Sequence, residues 1–182
     1  MACRLLLIAV ILTTMFAGCS SQKPAPLEWK NFSHADGRFS VMMPGTPEQS
    51  SYDMPIPSGT MKFISSMVDL PDQAKVFAVI YVDYPPGPAD GDEVTAHKVI
   101  EKYVAGAAKK RKAEMQQNSK IKLGNYPGQE YLFTIPENGD KSMWRLCFVQ
   151  NRLYQLFFTW SPKRGDSSAE AERFLNSFKV AD

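Results

Sequence analysis

The segment Lys75-Val76-Phe77-Ala78-Val79-Ile80-Tyr81-Val82-Asp83-Tyr84 is apolar on both faces of an extended chain. With the two-residue period of a strand, Val76, Ala78, Ile80 and Val82 share one face, and Phe77, Val79 and Tyr81 fill the other. A strand of this kind must be covered on both sides, so it belongs in the middle of a sheet with a packed layer above and below. Thr60–Leu70 precedes it across a turn through Pro71-Asp72 and reads as its hairpin partner. Further upstream, Lys30–Phe32 and Phe39–Met43 read as short strands around Ala35-Asp36-Gly37, with Phe39, Val41 and Met43 alternating onto one face.

Downstream, Pro85-Pro86-Gly87-Pro88 breaks the pattern, and Asp90 or Asp92 can cap a helix running roughly from Asp92 to Gln117. At 100° per residue its Ala96, Val99, Ile100, Tyr103, Val104 and Ala107 form one arc, opposite Lys98, Lys102, Lys109 and Lys112. Lys110 and Arg111 intrude on that arc, so the helix is expected to leave the core near Ala108. Gln129–Ile135 and Lys141–Val149 flank Glu137-Asn138-Gly139-Asp140, whose Asn-Gly pair is a strong hairpin signal. Asn151-Arg152 reads as a tight turn into Leu153–Trp160, a strand with large residues on both faces. Ser167-Ser168-Ala169-Glu170 has the form of a capping box, before a final helix with a Phe174, Leu175 and Phe178 stripe. Strands, a long helix, more strands and a short helix predict an α+β fold, a mostly antiparallel sheet with helices packed on it.

The amino-terminal end has a different character. Met1–Arg4 carries one positive charge, and Leu5–Phe16 is an apolar run broken only by Thr13 and Thr14. As a helix that run reaches about 18 Å, short of a bilayer core of about 30 Å, so it reads as a signal peptide rather than a membrane span. Phe16-Ala17-Gly18-Cys19 resembles a lipobox, departing from it at Phe16, where Leu is more usual. Cys19 is the expected lipidation site: its thiol takes the lipid as a thioether, and two or three acyl chains make the attachment effectively permanent. Ser20 is compatible with sorting to the outer membrane, facing the periplasm, if the cell has two membranes. Ser20–Pro26 has no apolar pattern and reads as a tether reaching about 25 Å when extended.

The predicted organisation is a signal peptide over 1–18, the lipidated Cys19 and a flexible tether over 19–27, and one domain over 28–182. Removing the first 18 of 182 residues leaves 164, enough for one core. Losing Arg4 leaves 20 basic against 19 acidic residues, a balance that disfavours nucleic-acid binding. A hydrophobic content of 44% with 12% aromatics is that of a globular chain. After processing, Cys147 has no free cysteine to pair with. Its setting in Trp144–Val149 reads as a buried, inert strand position.

Four segments carry a resemblance: Gly37–Pro47 (GRFSVMMPGTP), Leu123–Glu130 (LGNYPGQE), Arg152–Leu156 (RLYQL) and Arg173–Phe178 (RFLNSF). Together they resemble bacterial envelope lipoproteins with a PsbP-like, DcrB-related domain, over about Leu27 to Val180. The resemblance implies an α-β-α sandwich used for binding or assembly, and brings no catalytic set. Its motifs are turns and core positions.

Candidate sites are sparse. His34 lies beside Asp36 in an apparent turn with no third metal ligand at a recognised spacing, and His97 sits at the edge of the helix arc. Asp90-Gly91-Asp92-Glu93 suits a helix dipole better than a calcium loop. No nucleophile elbow, Walker loop or dinucleotide fingerprint occurs. Neither an enzyme, a metal nor a cofactor is expected. Lys109-Lys110-Arg111-Lys112 is the densest charge run and a candidate contact for anionic lipid headgroups. The expected function is a non-catalytic, lipid-anchored envelope module that binds or assembles with an envelope protein. The alternative is small-ligand binding in a pocket beneath the long helix or the Pro85–Gly91 loop. A deep pocket with convergent polar groups would favour the ligand, and a flat exposed aromatic patch the assembly partner.

Overall fold

The computed structural model describes residues 26–56, 59–85 and 92–181. The chain runs β1 (Trp29–His34), β2 (Phe39–Pro44), β3 (Glu48–Ile56), β4 (Gly59–Leu70), β5 (Lys75–Asp83), α1 (Glu93–Arg111), β6 (Glu114–Leu123), β7 (Tyr126–Ile135), β8 (Asp140–Val149), β9 (Arg152–Trp160), α2 (Ser168–Ser177) and β10 (Lys179–Val180). Seven strands form one sheet in the order β3-β4-β5-β9-β8-β7-β6, and β1, β2 and β10 form a second. Every paired strand is antiparallel. The α+β fold, a mostly antiparallel sheet with helices packed on it, is as expected.

The two faces of β5 open onto two separate cores. Phe77, Val79 and Tyr81 join Phe39, Val41, Met43, Tyr154, Leu156, Phe158 and Phe174 under the small sheet and α2. Ala78 and Val82 join Phe63, Phe133, Trp144, Leu146 and Phe157 under α1. Ser177 accepts a hydrogen bond from the Met42 backbone N–H at 2.8 Å, which joins the small sheet to α2, and the Tyr154 hydroxyl donates to the Gly37 carbonyl at 2.7 Å, which ties the β1–β2 turn to the large sheet. At the same end of β5, Arg152 makes a two-pronged contact with Asp83 at 2.6 and 2.8 Å and donates to the Asp36 carbonyl at 2.7 Å. Gly128 permits the close approach of β7 to β8, since a Cβ there would sit 2.7 Å from the Leu146 carbonyl oxygen.

Several sequence expectations are corrected. β3 and β6 were not expected as strands, and the helix predicted to reach Gln117 stops at Arg111. Lys112 turns left-handed at φ 53°, its N–H and that of Ala113 close on the last helical carbonyls, and Glu114 begins β6. Both missed strands lie at the sheet's edges, where solvent takes the place of a packed face, so their side chains are largely polar. The turn before β9 falls one residue early, at Gln150-Asn151, with Gln150 at φ 53°. The capping box at Ser167 does not form. Asp166 receives the Ser168 N–H instead, while Glu170 reaches out to Lys75 at 2.6 Å.

The architecture leaves part of one face open. Seven strands at about 4.8 Å spacing span roughly 29 Å, whereas one helix with its side chains is about 10–12 Å across. α1 packs chiefly over β7 and β8. The same face of β3 and β4 therefore lies beside the helix, not beneath it.

Candidate functional site

Asp92 starts α1 as anticipated, accepting hydrogen bonds from the Val94 and Thr95 backbone at 3.2 and 3.0 Å. The Thr95 hydroxyl bond holds the Asp92 carboxyl below its ordinary range. From that fixed start the predicted apolar arc divides in two. Ala96, Ile100 and Val104 are buried on the sheet, together with His97, while Val99, Tyr103 and Ala107 turn toward the open flank.

On that flank Tyr52, Met54 and Ile56 of β3 face the helix, level with Phe63 and Met61 of β4. Tyr52 stacks on its cross-strand neighbour Phe63 with centroids 4.9 Å apart and planes 7° apart, and Phe63 stands 6.4 Å from Tyr103. These side chains and Tyr84 floor a groove of about 730 Å3, within the usual range for a small-molecule site. Lys102, Lys110 and Arg111 complete its wall, and among the described residues no carboxylate lines it. None of the three has an ion-pair partner among the described residues. Arg111 is steered inward by aromatic faces, its guanidinium 5.4 Å from the Trp144 ring and 5.7 Å from Phe157.

Burial pushes the Tyr103 phenol up to about 12, with Tyr52 adding to the effect and Arg111 opposing it. Burial likewise raises Tyr52 and Tyr84. The tyrosines therefore stay neutral hydroxyl groups near neutral pH, and the groove's charge is set by its cations. Gln155 is fully buried beside Tyr103, close enough to hold the phenol down slightly, although its amide atoms make no well-formed hydrogen bond among the described residues. The groove can hold an apolar body against aromatic rings and meet a negative group at its basic wall.

The sequence-marked residues fall in different places. Cys19 lies outside the described residues, as do residues 86–91, which include Asp90 and Gly91. The basic run splits: Lys110 and Arg111 line the groove, while Lys109 and Lys112 do not. Lys102, expected opposite the apolar arc, lines it as well, because the groove follows the flank of α1 and not its underside. His34 belongs to β1, not a turn. Its Nδ1 accepts the Gly37 N–H at 2.9 Å and its ring stacks on Phe39, a structural role. His97 is more deeply buried than expected, with Nε2 3.4 Å from Glu93 and Nδ1 unpartnered among the described residues. Cys147 is fully buried, and desolvation pushes its thiol far up, which suppresses the reactive thiolate. Among the described residues no three His, Cys, Asp or Glu side chains cluster as a metal site, and no helix is long and apolar enough to cross a membrane. Tyr52, Met54 and Ile56 escaped the sequence reading. Their signal was the period-two repeat within an otherwise polar strand.

The architecture has a solved counterpart. The cyanobacterial PsbP (CyanoP) of Synechocystis sp. PCC 6803 superposes with a TM-score of 0.58 at 12% identity, over 91% of this chain and 98% of that one. The fold is PsbP-like. Weaker likenesses are a protein from Bacteroides thetaiotaomicron (TM-score 0.45, 15% identity, 84% of this chain and 48% of that one) and a protein of unknown function from Pseudomonas aeruginosa (TM-score 0.33, 11% identity, 75% and 85%). No protein-family model matches the chain, and neither does any curated protein sequence.

Proposed function

We propose that this PsbP-like protein is a non-catalytic, lipid-anchored module of the cell envelope that holds a small ligand in the groove between α1 and the β3–β4 hairpin. The observation that carries the ligand reading is the groove itself: an aromatic floor, about 730 Å3 of space and three cations without partners among the described residues. Assembly with an envelope protein, the leading expectation from sequence, has less support. The large apolar side chains exposed on the surface include Tyr52 and Met54, and these lie at the groove instead of forming a flat patch. Relation to the DcrB-type lipoproteins and anchoring at Cys19 rest on the sequence signals alone.

Native mass spectrometry of the full chain released from membranes tests the binding reading. A retained small-molecule adduct is expected in the wild type and lost in Gly106→Trp, whose side chain would enter the groove. A wild-type spectrum with no mass beyond the chain and its own lipid sinks it. Labelling cells with radioactive palmitate tests the anchor separately, since Cys19→Ser should remove all incorporated label. Lys109 and Lys112 are exposed at the end of α1, and they keep the lipid-headgroup contact as a second reading. Binding to anionic vesicles that weakens with added salt and with Lys109→Gln/Lys112→Gln is the expected outcome there. Salt-insensitive binding rejects it.

A further inference from the structure

We infer that the groove takes a free single-chain amphiphile with an anionic head, of the fatty-acid class, an inference that rests on the binding reading above. The groove is long and graded, which a compact solute would not need. Its helical wall runs from Val99 to Arg111, about 18 Å along α1 at about 1.5 Å per residue. The cations are unevenly placed on it. Lys110 and Arg111 both sit at the carboxy-terminal end of the helix, where Arg111 acts electrostatically on Tyr52. Lys102 stands about 4.5 Å from Val99 along the axis, so among the described residues the Val99 end holds one cation beside Val99, Tyr84 and Ile56, against two at the other end.

The chemistry of the two ends is complementary to one kind of molecule. An anionic head at Lys110 and Arg111 gains charge-assisted hydrogen bonds, since no carboxylate among the described residues lines the groove to supply them. Phe157 and Trp144 hold the Arg111 guanidinium in place, so little ordering is needed when the head arrives. An apolar tail then lies along Tyr103 and Met54. At the centre, Gly106 presents no side chain, and a Cβ built there meets nothing within 4 Å, which keeps the passage open.

Photocrosslinking on membranes holding the full-length protein tests this. The probes are a diazirine-bearing hexadecanoic acid and the corresponding hexadecanol, with crosslinked peptides mapped by mass spectrometry. The acid is expected to label peptides of β3 and α1, and the uncharged alcohol to label them about tenfold less, the loss of one charge-assisted contact. Lys110→Glu, an exposed position where the fold is not at stake, should bring the acid down to the level of the alcohol. Gly106→Trp should abolish both signals. Equal labelling by acid and alcohol overturns the anionic head. No labelling of groove peptides by either probe, while the native adduct persists, overturns the amphiphile and leaves the binding reading standing. If neither adduct nor label appears, both fail together. Acid labelling that rises severalfold in Cys19→Ser would show the protein's own acyl chain in the groove, and overturns the free ligand.

Discussion

Replacing Gly106 by alanine should stabilise this protein, and the size of the gain follows from where the glycine lies. Gly106 is within α1, five residues before its end at Arg111, at an exposed position without a left-handed backbone angle. A helical glycine is less favourable than alanine by about 0.5–1 kcal/mol because of the backbone freedom it gives up. Nothing lies within 4 Å of the added Cβ, so neither a clash nor a packing gain modifies that value. For a domain of this size, about 1 kcal/mol corresponds to a rise in Tm of about 2–4 °C. Urea denaturation followed by circular dichroism would measure it, with an unchanged m-value showing that only stability has moved. A lower midpoint for Gly106→Ala would refute the reasoning, since the helix would then be strained or filled at that point. Stability alone thus favours a larger residue here, and what glycine provides is room in the groove.

Three further outcomes follow from the buried interior. Folding raises the Tyr103 and Tyr131 phenols from 10.0 to about 12, so the stability that their neutral forms contribute is complete below pH 10 and declines as pH climbs toward 12. Alkaline unfolding watched by tyrosinate absorbance should move to higher pH in a Tyr103→Phe/Tyr131→Phe double variant, and an unmoved curve would deny the burial effect. Gln155→Leu removes two buried amide atoms that make no well-formed hydrogen bond among the described residues and should raise stability by about 1 kcal/mol in thermal melts; a loss would mean that the contact with Tyr103 satisfies the amide. Gly128→Ala should lower stability by about 1–3 kcal/mol, because its methyl must displace the Leu146 carbonyl, and near-neutral behaviour would contradict that close approach.

What could be read in advance tracks how strongly burial marks a residue. β5 announced itself because both its faces are packed, and the Asn138-Gly139 turn because Gly139 takes φ 79°. β3 and β6 lie at the two ends of the seven-strand order, and most of their side chains meet solvent. Glu114-Met115-Gln116-Gln117 also consists of good helix formers, and a left-handed lysine, not a glycine, separates it from α1. The groove was half legible for the same reason. Its helical wall was recognised as apolar and assigned to the core, whereas its other wall belongs to an edge strand. Only the width of the sheet, which depends on β3 being present, shows that Val99, Tyr103 and Ala107 have no strand above them to fill that space.

The pairing of β5 with β9 has a consequence for how the chain reaches this state. β1 to β5 and β6 to β9 are each built from neighbours in sequence, but the seam between them joins Asp83 to Arg152, 69 positions away. The chain emerges amino-terminus first, so β5 is complete long before its second partner exists. Until then a strand carrying Phe77, Val79 and Tyr81 on one side and Ala78 and Val82 on the other waits with one edge bare. The hazard for this protein is therefore concentrated in the interval before β9, in the last sixth of the chain, arrives. A variant that lengthens that interval should aggregate even when its finished fold is as stable as the wild type.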